Sequence, residues 1–358
     1  MLKGNKGEWS EIYAFCYLLS SGIIQTADKD LNADPRFTIP IIKILRMETR
    51  PLDYYPPDAS QTVKVYCGNT LMLSFPKADL DKNIALMLNT ISHSSKTFDI
   101  PQAEIFLKNI LVTKLKESSA KKQDITIQIN DIRSGAAPVC GFSIKSYLGG
   151  NPTLINASAG TNFSYEIDGC TQNIQTAVNS INTKRKIIDR MDCLSAYGCT
   201  LRKTREVVSQ QFRDNMQFVD TSMPEMMSEL VKVYYQTQTR KISDLTEYIK
   251  KVNPLRLSNV NMYSYKIKKL LAACALGMTP QRVWEGQEDA NGGFIVVKKD
   301  GSVVCYHIYN RTEFEQYLYD YTYLDTPSTS KYGFADIYSD GSRYYIKLNL
   351  QVRFSKHS

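Results

Sequence analysis

The segment DITIQINDIRSGAAPVCGFSIKS, residues 124–146, alternates polar and apolar residues at both ends around a turn-prone centre. Period-two alternation is the signature of a strand with one buried face, so the segment reads as a β-hairpin turning within Ile132–Pro138. In its first strand Asp124, Thr126, Gln128 and Asn130 share the polar face, and the isoleucines share the other. In its second strand Ser143 and Lys145 are polar, while Phe142 and Ile144 are apolar. A turn centred near Ser134-Gly135 sets Asp124 opposite Ser143 or Lys145. A carboxylate and an amine then meet at the open end of the hairpin.

That pairing suits hydrolysis of a phosphodiester. A strand-borne aspartate supplies a hard oxygen ligand for Mg²⁺, with phosphate and water filling the rest of the octahedron. A lysine two residues past the facing position polarises the attacking water and offsets charge on the phosphoryl oxygens. Ser143 stands where the pattern D-x(n)-(D/E)-x-K wants a second acid, so another carboxylate has to be recruited. Asp131 also precedes Ser143-Ile144-Lys145, but its odd parity places it with the isoleucines, beside the turn. Its expected work is to cap the loop backbone.

The first helical stretch, KGEWSEIYAFCYLL within residues 5–20, offers two acids. At roughly 100° per residue Glu8 and Glu11 lie about 60° apart, on the edge of a face carrying Ile12, Phe15 and Leu19. Carboxylates beside an apolar face need a compensating partner, and a shared cation provides one. An acid near a helix N-terminus is also stabilised by the helix dipole wherever it points. Spacing alone leaves Glu8 and Glu11 as equal candidates for catalysis and metal ligation, with Glu166 on a later strand the weaker alternative.

Around this centre the chain is ordinary in composition. It has 358 residues, 43% hydrophobic and 22% charged, with a net charge of +8. A substantial core is therefore available, and a polyanionic partner is permitted. No run approaches the ~18 apolar residues of a membrane span, and Glu8 and Glu11 interrupt any secretory pattern, so a cytoplasmic location is expected. The eight cysteines contain no C-x-x-C pair, which favours reduced thiols over disulfides or zinc. Only His93, His307 and His357 are available for histidine chemistry. No dinucleotide loop, P-loop or G-x-S-x-G elbow is present.

Further out, residues 38–47 read as a strand and 62–75 as a hairpin turning at Gly68-Asn69. Helices are expected near 78–94 and 101–110, with a short strand near 111–116 and another over 162–168. From about 172 to 275 the spacing becomes mostly helical, and it is β-rich again to the end, with a turn at Asp300-Gly301. This divides the chain into a catalytic core over 1–170, a mainly helical DNA-binding region over 171–285 and a β-rich region over 286–358 packed on the core. The basic run Lys184, Arg185, Lys186 and Arg190, and the later Arg202, Lys203 and Arg205, are the candidate DNA contacts. Arginine and lysine read guanine in the major groove or hold phosphates. The 23 tyrosines read as core and rim residues.

Three segments in order, GNKGEWSEIYAF, QDITIQINDIRSG…GFSIKSYLGGNPTLINASAGTNFSYEI and GGFIVVKKDGSVVCYHIYNRTEFEQYL…YYIKLNLQVRF, resemble the HpaII family of type II restriction endonucleases from end to end. The resemblance implies an α/β fold with a PD-(D/E)XK core, a mixed sheet flanked by helices, with helical and β-rich additions. It implies Mg²⁺-dependent cutting of double-stranded DNA at CCGG to leave 5′ overhangs with 5′-phosphate ends. The family core falls on Asp124, Ser143 and Lys145, with Glu8 and Glu11 supplying the helix carboxylate. Gln123 replaces the usual proline, and Ser143 the usual acid. A homodimer on a palindromic site and a companion methyltransferase that protects host DNA without stable contact complete that picture. A non-catalytic DNA-binding protein of the same fold and a structure-specific nuclease are the alternatives.

Overall fold

The computed structural model describes residues 1–116 and 123–355, without the side chains of 203–206. Two strands late in the chain, Gly293–Val297 and Val303–His307, organise the rest. Every residue in both is buried. Their side chains alternate between two cores: Ile295, Val297, Val303 and Cys305 join the core of the first helix, and Phe294, Val296, Val304 and Tyr306 join a second core with the later helices. A strand covered on both faces must be apolar without interruption, as these are. They turn at Asp300-Gly301 as expected, with Gly301 at φ +86°.

These strands sit inside a nine-stranded sheet. Its order runs Ile23–Ala27, Val303–His307, Gly293–Val297, Val139–Ser146, Ile125–Ile129, Ala33–Met47, Pro51–Tyr55, Thr62–Cys67, Thr70–Pro76. Val139–Ser146 runs parallel to Gly293–Val297, with Lys145 beside Val296. The sheet is mixed, but its first six strands close into a barrel-like ring, because Ala33–Met47 pairs with Ile23–Ala27 as well as with Ile125–Ile129. The closing strand is 15 residues long. Its N-terminal half faces Ile23–Ala27, and past a register shift between Ile41 and Lys43 its other half joins Ile125–Ile129 and Pro51–Tyr55. A bulge of this kind bends a strand and lets it turn from one neighbour to another.

The first helix, Lys6–Ser21, is buried on nearly every side, with Trp9, Ile12, Tyr13, Phe15, Cys16, Leu18 and Leu19 in the core. It begins in a capping box between Asn5 and Glu8 and ends on Gly22 at φ +67°, the left-handed position that favours glycine. Helices Lys77–His93 and Pro101–Asn109 match the expected positions, whereas 111–116 forms no strand. The later part builds a four-stranded sheet, a three-stranded sheet and a set of helices including Lys186–Ala196 and Asn261–Leu276. Thr200–Val207, which holds the second basic run, is a strand rather than a helix. The alternating C-terminal segment divides between two sheets as Tyr344–Asn349 and Val352–Phe354. No helix among the described residues is long and apolar enough to cross a membrane. All eight cysteines are free thiols.

Candidate active site

The hairpin forms in the register that parity demands: Ile125 faces Phe142, Thr126 faces Gly141 and Ile127 faces Cys140. Continued by one step, Asp124 faces Ser143, and the Asp124 N–H donates to the Phe142 carbonyl at 2.8 Å. The Asp124 Oδ2 accepts from the Ile144 N–H at 2.7 Å and from the Ser143 hydroxyl at 3.2 Å. Ser143 is therefore a buried support for the aspartate, filling the space a second acid would take. Lys145, two residues on, shares that face. It is half-buried and makes no hydrogen bond or ion pair among the described residues.

On the first helix, Glu11 is within charge-interaction range of both Asp124 and Lys145. Burial pushes the Glu11 carboxyl up to about 8, and the negative charge of Asp124 adds to the rise, against the pull of Lys116 and Lys145. Its side chain is 15% exposed, with the Lys116 ammonium 3.8 Å away. Glu8 is committed elsewhere: its Oε2 accepts from the Asn5 N–H at 2.8 Å, while its own N–H donates to Asn5 Oδ1 at 3.1 Å. This reciprocal cap satisfies two donors that the helix start would otherwise leave unpaired. Glu11 and Lys145 line one cleft of about 380 Å³ between the helix start and the Gly149-Gly150 loop. Lys6 ties the cleft together, donating to the carbonyls of Ser92 at 3.0 Å and Leu148 at 3.1 Å.

Gly141 carries a further support that the hairpin pattern did not disclose. A Cβ there would collide with the Gln123 side chain and meet the Asp289 carbonyl at 2.8 Å. The bare backbone lets both pack against the strand beside Asp124. The Gly141 N–H donates to Asn291 at 2.9 Å, joining the segment before Gly293 to the same place.

The remaining candidates lie apart. Asp131 caps the hairpin turn, accepting from the Arg133 N–H at 3.1 Å, from the Ser134 hydroxyl at 2.5 Å and from the Tyr309 hydroxyl. Those bonds hold its carboxyl down near 2, with Ser134 the largest cause and Tyr309 next. Asp131→Asn keeps an oxygen for the turn, so the variant is expected to cut DNA at the wild-type rate with a modestly lower Tm. A dead Asp131→Asn enzyme would move the centre to the turn. Glu166 lies in the four-stranded sheet, paired with Arg343 at 3.0 Å.

Among the basic residues, Arg190 requires a correction. It is 1% exposed, and its guanidinium donates to the carbonyls of Asn179, Ile181 and Ala335 and to the Asp336 carboxylate. It fastens the ends of neighbouring segments and has no face left for DNA. Lys186 is largely covered and lies 3.8 Å from Asp336. Arg185 and Arg202 are exposed, near Asp189 at 3.9 Å and Asp168 at 2.9 Å respectively. The Arg205 side chain lies outside the described residues.

The chain belongs to the HpaII restriction endonuclease family, whose profile it matches over residues 5–354. That membership makes it a type II site-specific deoxyribonuclease with DNA as its substrate. It is 39% identical to the type II restriction enzyme HpaII of Haemophilus parainfluenzae over 98% of both chains. No solved structure matches it.

Proposed function

We propose that the chain is a Mg²⁺-dependent endonuclease cutting duplex DNA at CCGG, with a PD-(D/E)XK-type centre made of Asp124, Lys145 and Glu11. The observation that carries this is the convergence of one strand and one helix: the Asp124 charge raises the buried Glu11 carboxyl, beside Lys145, which makes no hydrogen bond or ion pair among the described residues. Two carboxyl groups sharing a half-buried site ionise together when a cation offsets their repulsion. The donor set fits a hard one. Asp124 keeps Oδ1 free of hydrogen bonds among the described residues, and Glu11 offers a second carboxylate. No closed cage of three acidic, histidine or cysteine side chains forms among the described residues, which suits a cation that keeps water and substrate phosphate as ligands.

When bound, Mg²⁺ supplies Lewis-acid stabilisation of charge on the phosphoryl and leaving oxygens. Asp124 and Glu11 would hold it. Ile144 and Ser143 fix the Asp124 carboxylate by hydrogen bonds, so its orientation is set before substrate arrives. Lys145 positions the attacking water and stabilises charge on the phosphorus oxygens, leaving 5′-phosphate and 3′-hydroxyl ends. Arg185 and Arg202 are exposed cations suited to phosphate contacts. A palindromic target favours a homodimer on DNA, and a companion methyltransferase acting on the same sites protects the host without stable contact.

Digestion of plasmid DNA with the purified protein and Mg²⁺, followed by sequencing of the cut ends, tests the whole reading. Discrete fragments with 5′ overhangs and 5′-phosphates at CCGG are expected. Binding without cleavage, or cutting at branched structures regardless of sequence, overturns it.

A further inference from the structure

The cleft that holds Glu11 and Lys145 is unbalanced in charge. Its lining contains Lys6, Lys96 and Lys145 against one carboxylate, Glu11. Lys6 gives its hydrogen bonds to two neutral carbonyl oxygens, so its charge is not cancelled there. Lys96 is exposed and makes no hydrogen bond or ion pair among the described residues.

Lys96 is also held in place. The strand that follows it, Thr97–Asp99, pairs with Lys3–Asn5, and Asn5 faces Thr97 across the ladder. On the other side, helix Lys77–His93 ends with the Ser94 N–H bonded to the Thr90 carbonyl at 3.0 Å. Between these anchors Lys96 takes φ +60°, a conformation side chains rarely adopt. The result is a lysine carried to the mouth of the cleft by two regular elements.

We propose that Lys96 binds a DNA phosphate next to the scissile one, with Lys6 adding positive potential behind it. This rests on the assignment of the cleft to DNA cleavage. Once a divalent cation balances Glu11 and Asp124, the lysines leave the cleft net positive, as a polyanionic strand requires. A neighbouring phosphate gripped at Lys96 anchors the strand at the mouth of the cleft and carries no base information. Lys96 thereby contributes to affinity for every sequence equally.

Binding is best measured in the Lys145→Ala background, with a short duplex carrying CCGG and one lacking it, by fluorescence anisotropy over a salt series. Adding Lys96→Ala is expected to weaken both duplexes roughly fivefold near 0.15 M salt and to flatten the log K against log salt slope by about 0.9. Lys96→Arg restores the slope. In the otherwise wild-type enzyme, Lys96→Ala raises KM while single-turnover cutting at saturating enzyme stays within about threefold. An unchanged slope in Lys96→Ala overturns the phosphate contact. Full cleavage by Lys145→Ala overturns the underlying site instead, so the two failures are distinguishable.

Discussion

Lys145→Ala and Asp124→Asn are each expected to lower single-turnover cleavage of plasmid DNA by about 10²–10⁴-fold, the range removed with a group acting on the reacting atoms. Both variants should still bind DNA. The asparagine substitution is chosen because its amide oxygen can still accept from the Ile144 N–H, which Asp124 engages at 2.7 Å. The strand pairing then survives and only the negative charge goes. Lys145 makes no bond that holds the fold among the described residues, so its truncation leaves the hairpin intact. Loss of cutting with an unshifted Tm therefore assigns both groups to chemistry. Wild-type cleavage by either variant would remove the hairpin's open end from the mechanism.

The hairpin was legible because its signal is local. Alternation over residues 124–130 and 142–145 sets both the strand faces and the meeting of Asp124 with Ser143, and the structure keeps that register. Gly68-Asn69 and Asp300-Gly301 were readable for the same reason, since a tight turn declares itself in two residues. Ring closure depended instead on one strand changing partners around Ile41 and Lys43, and no short window records which neighbour a strand's far edge meets. The C-terminal strands between 293 and 307 were recognisable as strands, but their place between Val139–Ser146 and Ile23–Ala27 is a tertiary fact.

The site divides similarly. Glu8 and Glu11 could not be separated by helical angle, although Asn5-Lys6-Gly7-Glu8 has the N-cap spacing that commits Glu8 to the helix start. Arg190 shows the opposite failure. In sequence it belongs to a basic run, yet its neighbours Ile187, Met191 and Leu194 enter the second core. Arginine can follow them inward when carbonyls and a carboxylate receive its donors. Lys6 and Lys96 are 90 residues apart with no motif linking them, and the Lys3–Asn5 ladder, with the Lys6 bond to the Ser92 carbonyl, brings them to one cleft.

Glu11→Gln should produce the second large effect, with a readout that requires no DNA. In the metal-free protein burial and Asp124 keep the Glu11 carboxyl protonated up to about pH 8, whereas the unfolded chain ionises near the ordinary glutamate value of about 4.3. Between those values the native state binds more protons than the unfolded state. Stability from this group therefore falls as pH rises, by about 1.4 kcal/mol per pH unit across most of the window, and levels off above pH 8. Glutamine does not titrate, so the metal-free variant gains on the wild type steadily between about pH 5 and 8. Taking the difference between the two unfolding profiles cancels the other titrating groups they share. Mg²⁺ should reverse the trend in the wild type alone, because ligation requires the deprotonated carboxylate and releases its proton. Cleavage by the variant should fall by about 10²–10⁴-fold at every pH. A pH-independent difference between the metal-free proteins would mean that Glu11 is neither buried nor coupled to Asp124. The helix would then lose its place in the site, and Asp124 and Lys145 would need another acidic partner.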